Sequence, residues 1–203
     1  DGISESGKNK LEEYGFNIDL TTVAQDQLVN YINENLITTL LVRSATQVRK
    51  DIIDNCPSLK IIGRGGVGMD NIDVEYAKSK NINVINTPAA SSKSVAELVF
   101  SHLFGCVRFL HESNRTMPLD GDSKFKELKK SYAGGRELAG KKLGIIGFGR
   151  IGQEVAKIAI GIGMEVVFHD KFIDEASLEI EFFDGQNISF NMTSSSFEEV
   201  LED

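Results

Sequence analysis

The sequence predicts an α/β protein of two domains, each built on a parallel sheet. Three observations carry that expectation. Short apolar runs alternate with helical stretches between Asn17 and Asn86. The same alternation resumes between Lys142 and His169. One long apolar stretch, Ser92 to Arg115, reads as a single helix between the two series and puts the split near Pro88–Ser92.

The elements follow in order. Lys8–Tyr14 reads as a short helix stopped by Gly15, Asn17–Leu20 as a strand, and Ala24–Asn33 as a helix with Leu28, Val29 and Ile32 on its apolar side. Thr39–Val42 is a short apolar run of the kind buried in parallel sheets. A helix over Val48–Asn55 stops before Pro57. Strand Leu59–Ile62, helix Val74–Lys80 and strand Ile82–Ile85 follow. Helices between buried strands imply crossover connections. In the long helix, Val95, Leu98, Val99, His102, Leu103, Cys106, Val107 and Leu110 form one stripe, and Phe100, Phe104 and Phe109 widen it. A helix this apolar is covered on more than one side, and a subunit contact is one candidate cover. The charged stretch Pro118–Arg136 reads as a surface connection with a short helix near Phe125–Lys130.

The second series runs strand Lys142–Ile146, helix Arg150–Ile162, strand Glu165–His169. Leu178–Phe183 and Ile188–Met192 then read as strands around Asp184-Gly185, a hairpin signal. Ser196 and Glu199 fit a capping box that opens a last helix.

Composition narrows the function. Lys and Arg total 22 against 30 Asp and Glu, a net charge of −8, which argues against nucleic acid as the main partner. A small anionic substrate is still compatible, because a few placed arginines bind it locally. No apolar run reaches membrane-spanning length. Cys56 and Cys106 have no metal-ligand spacing and are too few for a disulfide scaffold, so they read as reduced thiols of a cytoplasmic protein, and no metal site is expected.

The most informative motif is Gly147-Phe148-Gly149-Arg150-Ile151-Gly152, a Gly-x-Gly-x-x-Gly pattern. Alone it is weak. Here an apolar strand runs into it, an amphipathic helix leaves it, and the next strand ends at Asp170, 18 residues past Gly152. That order is the mononucleotide-binding βαβ unit of a Rossmann domain. Gly147 permits the tight turn, Gly149 lets backbone approach a pyrophosphate, and Gly152 lets helix and strands pack closely. The helix N-terminus offers N–H groups to phosphate. Asp170 suits the ribose hydroxyls and repels a 2′-phosphate, which favours NAD, although Lys171 beside it can turn toward a phosphate.

Two arginines sit where parallel strands end. Arg43-Ser44 follows the run ending at Val42, and Arg64 precedes Gly65-Gly66-Val67-Gly68. Ligands of such sheets bind at the carboxyl ends of strands. An arginine fork there suits a carboxylate or phosphate, and consecutive glycines expose backbone N–H groups to one. Surface arginines beside a turn are an equal reading on position alone.

Leu41–Thr46, Gly63–Asp73, Asn86-Thr87-Pro88, Ser94–Leu98 and Leu143–Gly152, in that order, resemble the D-isomer-specific 2-hydroxyacid dehydrogenases. The Arg-Ser-Ala-Thr and Gly-Arg-Gly-Gly-Val-Gly forms are most similar to the family's phosphoglycerate dehydrogenases. The resemblance implies two Rossmann-like or flavodoxin-like domains: an incomplete substrate-binding domain over 1–90 and a truncated NAD-binding domain over 91–203. It implies that Arg43, Ser44, Arg64, Gly65 and Gly66 meet the anionic substrate and that Val67 lies near the nicotinamide. Gly147, Gly149, Arg150, Ile151 and Gly152 would meet the pyrophosphate, and Asp170 the ribose. The helix over 92–115 would link the domains and pack in a homodimer or higher homo-oligomer.

The implied activity of the full-length protein is NAD-dependent oxidation of 3-phosphoglycerate, the first step of serine biosynthesis. Alternatives are another acid of the family (glyoxylate, hydroxypyruvate, D-lactate) or a non-enzymatic NAD-sensing protein. The family's catalytic Arg, Glu and His are expected after Asp203. None of His102, His111 and His169 fits the proton-transfer role, so no catalytic residue is assigned in this chain. Two features depart from the family pattern. A strand expected before Asp1 is absent, and the hairpin-like Leu178–Met192 reads as an insertion without a family role.

Overall fold

The computed structural model describes residues 2–202. The chain divides into two compact units, Asp1–Ser91 and Ser92–Asp203.

In the first unit, β1 (Thr39–Val42), β2 (Ile61–Arg64) and β3 (Asn83–Asn86) form a parallel sheet in that order. The strands start in step: Thr39 pairs with Ile61, and Ile61 with Asn83. Their carboxyl ends therefore align as well, Val42 with Arg64 and Arg64 with Asn86. Helices α1 (Glu5–Glu13), α2 (Leu28–Glu34), α3 (Lys50–Asn55) and α4 (Val74–Ser79) complete the unit. Ile32, Val48, Ile52, Cys56 and Ile62 are fully buried in its core.

The second unit holds α5 (Ser92–Val107), α6 (Leu110–Asp120), α7 (Phe125–Ser131), β4 (Lys142–Ile146), α8 (Arg150–Gly161) and β5 (Glu165–His169). After these come β6 (Glu175–Glu181), β7 (Asn187–Thr193) and α9 (Phe197–Leu201). β4 and β5 are parallel, and β6 and β7 form an antiparallel hairpin. The core gathers Ala96 and Phe100 of α5, Val155, Ala156 and Ala159 of α8, and Phe148, Phe168 and Leu178. The small residues of α8 let α5 lie close against it.

Several sequence expectations shift. No strand forms at Asn17–Leu20. Asp19 instead accepts hydrogen bonds from the Thr21 N–H and the Tyr31 hydroxyl, which hold this stretch as a side-chain-pinned loop. The helix expected from Ala24 opens as a 3₁₀ turn, Gln25–Gln27, because the Gln25 amide makes two hydrogen bonds with the Gln47 backbone. α3 starts at Lys50 rather than Val48, since Val48 is used in a parallel bridge to Ile72. β2 sits two residues later than expected, because Leu59 closes a turn onto the Cys56 carbonyl.

The long helix is the largest correction. It breaks at Phe109, whose φ of 54° is left-handed. The returning chain takes over the helix end: Arg136 N–H donates to the Val107 carbonyl, and the Phe109 ring packs on Tyr132 at 6.0 Å. The buried face of α5 is also not the stripe read from the sequence. Ser92, Ala96 and Phe100 are buried, whereas Leu98, Val99 and Phe104 are exposed. A helix apolar all round gives periodicity little to select.

Other expectations hold. β4 and β5 have the expected bounds. The hairpin turns at Asp184-Gly185, with Gly185 at φ 83°. Ser196 and Glu199 form a complete capping box on α9. Among the described residues no helix is long and apolar enough to cross a membrane.

Candidate functional site

The glycine loop between β4 and α8 has three distinct backbone demands. Gly147 sits at φ 94°, a conformation that side chains with a Cβ rarely adopt. A Cβ on Gly152 would lie 2.3 Å from the Gly147 carbonyl oxygen, so the helix can close onto the loop only with glycine there. A Cβ on Gly149 would meet nothing within 4 Å. Gly149 therefore leaves open space in front of the first turn of α8, where its N–H groups carry the positive end of the helix dipole. Gly149 makes no side-chain cap, and Arg150 and Ile151 are both exposed beside it.

Phe148 does what no motif reading gave it to do. It is fully buried and stacks on Phe168 of β5, with centroids 3.7 Å apart and planes 15° from parallel. Such a stack is worth about 0.5–1.5 kcal/mol beyond area burial. It ties the loop to the strand that ends at Asp170. Gly144 is a second unread contact: a Cβ there would meet the Val200 carbonyl oxygen at 2.8 Å, so α9 depends on glycine in β4.

Asp170 closes the site. One carboxylate oxygen accepts from the Phe148 N–H at 2.6 Å. The other accepts from the Phe172 N–H at 2.8 Å and the Ile173 N–H at 3.1 Å. The Phe172 N–H first, then those of Phe148 and Ile173, hold the carboxyl below its ordinary range. Asp170 is thus anionic at neutral pH and fixed in place. A carboxylate has about four acceptor sites, so capacity for a hydroxyl donor remains. Lys171 lies over the Phe172 ring at 5.6 Å. His169 is engaged with the Ser195 carbonyl at 2.9 Å and edge-on to Phe197. His102 and His111 lie exposed on α5 and α6.

In the first unit, the loops after β1, β2 and β3 meet at the carboxyl edge of the sheet. Gly65 N–H donates to the Val42 carbonyl, and Thr87 N–H to the Gly66 carbonyl. The Asn86 amide donates to the Val67 carbonyl. Buried Asn71 donates to the carbonyls of Arg43 and Thr46, both at 2.7 Å, and so fixes the Arg43–Thr46 loop. Gly66 has φ 153°, and the Arg64 guanidinium fills the place where its Cβ would stand. The buried Nε of Arg64 has no hydrogen-bond partner among the described residues. An unpaired buried guanidinium N–H is costly, and an anion would satisfy it.

The structure thus brings Arg43, Ser44, Arg64, Gly65, Gly66 and Val67 to one sheet edge in the first unit. It brings Gly147, Gly149, Arg150, Ile151, Gly152 and Asp170 to one loop cluster in the second. Among the described residues no group of His, Cys, Asp and Glu could hold a metal ion. The parts needed for a dinucleotide fit those present: an open helix N-terminus, a glycine with space before it, and an anionic carboxylate at the end of the next strand.

Comparison with known proteins agrees with this geometry. The profile of the D-isomer specific 2-hydroxyacid dehydrogenase catalytic domain matches residues 1–202. A hydroxypyruvate reductase of Thermotoga maritima is 47% identical over 161 residues, 79% of this chain and 50% of that protein. A D-3-phosphoglycerate dehydrogenase of Methanocaldococcus jannaschii is 39% identical over 190 residues, 92% of this chain and 35% of that protein. Among solved structures, the NAD⁺-bound 3-phosphoglycerate dehydrogenase of Entamoeba histolytica superposes with a TM-score of 0.63 at 31% identity. That match covers 85% of this chain and 52% of that one. The chain thus spans about half or less of the length of these relatives.

Proposed function

The chain belongs to the D-isomer-specific 2-hydroxyacid dehydrogenase family, and from that footing we propose that the whole protein is an NAD-dependent oxidoreductase acting on a small anionic D-2-hydroxy acid. The observation that carries this reading is the glycine loop, whose open space at Gly149 lies on the same loop that Asp170 grips through the Phe148 N–H. NAD, when bound, supplies the hydride acceptor. The residues of this chain do the holding. The α8 N-terminus with Arg150 and Ile151 takes the pyrophosphate, and Asp170 takes the ribose hydroxyls and excludes a 2′-phosphate. The unit ending at Ser91 acts as the substrate-binding domain, and the unit from Ser92 as the cofactor domain.

The preferred substrate is 3-phosphoglycerate, with the product 3-phosphohydroxypyruvate. Arg43 and Arg64 are two cationic groups on adjacent strand ends, a pair suited to an acid with two anionic groups. The backbone of Gly65 and Gly66 receives the carboxylate. Oxidation of 3-phosphoglycerate places the protein at the entry to serine biosynthesis, in the cytoplasm, as a homodimer or larger homo-oligomer. Proton transfer is not assigned to any histidine of this chain, because His169 is already engaged at the strand end and His102 and His111 stand on exposed helix faces. Reduction of hydroxypyruvate is the second reading, favoured by the 47% identity to the Thermotoga reductase.

The two readings separate on the arginines. Loss of one charge-assisted contact costs about 1.5–3 kcal/mol, which is about tenfold or more in kcat/KM. Arg43→Ala and Arg64→Ala, assayed in the whole protein, are expected to lose more on 3-phosphoglycerate than on D-glycerate. Equal losses on both acids leave hydroxypyruvate as the better substrate assignment.

A further inference from the structure

The β6–β7 hairpin starts and ends at the turn that carries Asp170. One oxygen of Asp170 accepts from the Phe172 and Ile173 N–H groups and so turns the chain out of β5 toward β6. The hairpin closes with Glu175 opposite Thr193. One step beyond that pair, the Ser194 N–H donates to the Asp174 carbonyl at 2.7 Å. Packing fixes the root: Leu178 is 1% exposed in a core that also takes Phe190 and Met192. Toward the tip this support fades, with Ile188 46% exposed and Phe183 fully exposed. The rigid part of the hairpin is therefore the end that adjoins Asp170.

The returning chain grips the end of β5 at three successive residues. Ser195 N–H donates to the Phe168 carbonyl at 2.8 Å. The His169 ring donates through Nδ1 to the Ser195 carbonyl at 2.9 Å. Asp170 N–H donates to the Ser194 hydroxyl at 3.2 Å, and that hydroxyl is turned to the Ser195 carbonyl at 3.4 Å. Asp170 is thus held at both ends: its carboxylate by the N–H groups of Phe148, Phe172 and Ile173, its main chain by half-buried Ser194. An aspartate side chain is short, so its carboxylate keeps one aim only while its backbone keeps one orientation.

We infer that Ser194, carried on the hairpin root, is a positioning residue that tunes the choice between NAD and NADP through Asp170. The inference rests on the proposed role of Asp170 as acceptor for the ribose hydroxyls. Two hydroxyl donors on one ribose need the carboxylate in one place. A carboxylate free to drift makes those hydrogen bonds less well, and it also repels a 2′-phosphate less sharply. Loss of the Ser194 hydroxyl therefore weakens NAD and spares NADP. A residue that only supported the fold would weaken both cofactors alike.

The test is fluorescence titration of the whole protein with NADH and with NADPH, which needs no substrate. Ser194→Ala is expected to raise the NADH Kd about fivefold and to leave the NADPH Kd within about twofold, so that the ratio narrows. Ser194→Thr keeps the hydroxyl and is expected to restore the wild-type ratio. In an Asp170→Asn background, adding Ser194→Ala is expected to leave the ratio where Asp170→Asn puts it, because the serine acts through the aspartate. A wild type that does not prefer NADH overturns the reading of Asp170 and this inference with it. A wild type that prefers NADH, with a ratio unmoved by Ser194→Ala, overturns this inference alone. So do equal losses of both cofactors, a Ser194→Thr variant no better than Ser194→Ala, or additive effects of the two substitutions.

Discussion

Gly149 and Gly152 stand three residues apart and are needed for different reasons. The space in front of Gly149 is empty of protein, so Gly149→Ala is expected to leave the thermal midpoint unchanged within about 0.5 kcal/mol. On the proposed function it is expected to weaken NAD binding at least tenfold, because the new methyl would take the open space proposed for the pyrophosphate. Gly152→Ala drives a Cβ into the Gly147 carbonyl and is expected to destabilise the fold by about 1–3 kcal/mol. Thermal melts paired with calorimetric NAD titration separate the two. A matching loss of stability in both variants would mean that Gly149 has only a structural role.

Asp170 gives a pH signature at the same scale. Its carboxyl is held below the ordinary range by the backbone N–H groups of Phe172, Phe148 and Ile173. A depressed folded-state pKa contributes stability above the unfolded value of about 3.9, and that contribution is lost as pH falls through the lower folded value. The urea midpoints of wild type and Asp170→Asn should differ at pH 7 and converge on the acid side of about pH 3.9. A difference that stays constant from neutral to acid pH contradicts the hydrogen-bond account.

The elements themselves differ in how plainly the sequence announces them. β4, α8 and β5 are legible almost to the residue, because a strand, a glycine fingerprint and an amphipathic helix all point to one arrangement. The hairpin is legible too, through Asp184-Gly185, although its first strand runs Glu175–Glu181 rather than Leu178–Phe183. The break between α5 and α6 is not. Nothing local in Arg108-Phe109-Leu110 stops a helix, and the cause, Arg136 donating to the Val107 carbonyl, lies about 30 residues along the chain. The stack of Phe148 on Phe168 was hidden for the same reason, since a variable position in a motif gives no sign of its burial.

The hairpin gradient makes its own prediction. Leu178→Ala empties a filled core position and is expected to cost about 2–5 kcal/mol. Ile188→Ala, near the tip, is expected to cost under about 1 kcal/mol in the monomer. Urea unfolding of the two variants checks the difference. Equal costs would mean that the tip is as well supported as the root.

Over the whole molecule, the family and the loops of the candidate site are readable because their residues are contiguous: Arg64–Gly68, Gly147–Gly152 and Asp170 each sit within one short segment. What the sequence could not give is long-range closure, such as Asn71 pinning the Arg43 loop and Asp170 gripping the Phe148 N–H. Those contacts join parts of each unit 22 or more residues apart. They turn a motif into a fixed site. The central claim is that this site serves NAD-dependent chemistry on a D-2-hydroxy acid. Initial rates of cofactor reduction by the whole protein test it most directly, with NAD and NADP each supplied with 3-phospho-D-glycerate and with its L enantiomer. The expected result is turnover with the D acid and NAD, at least tenfold lower kcat/KM with NADP, and a narrower cofactor ratio in Asp170→Ala. Preference for NADP, or equal turnover of the L enantiomer, would contradict it.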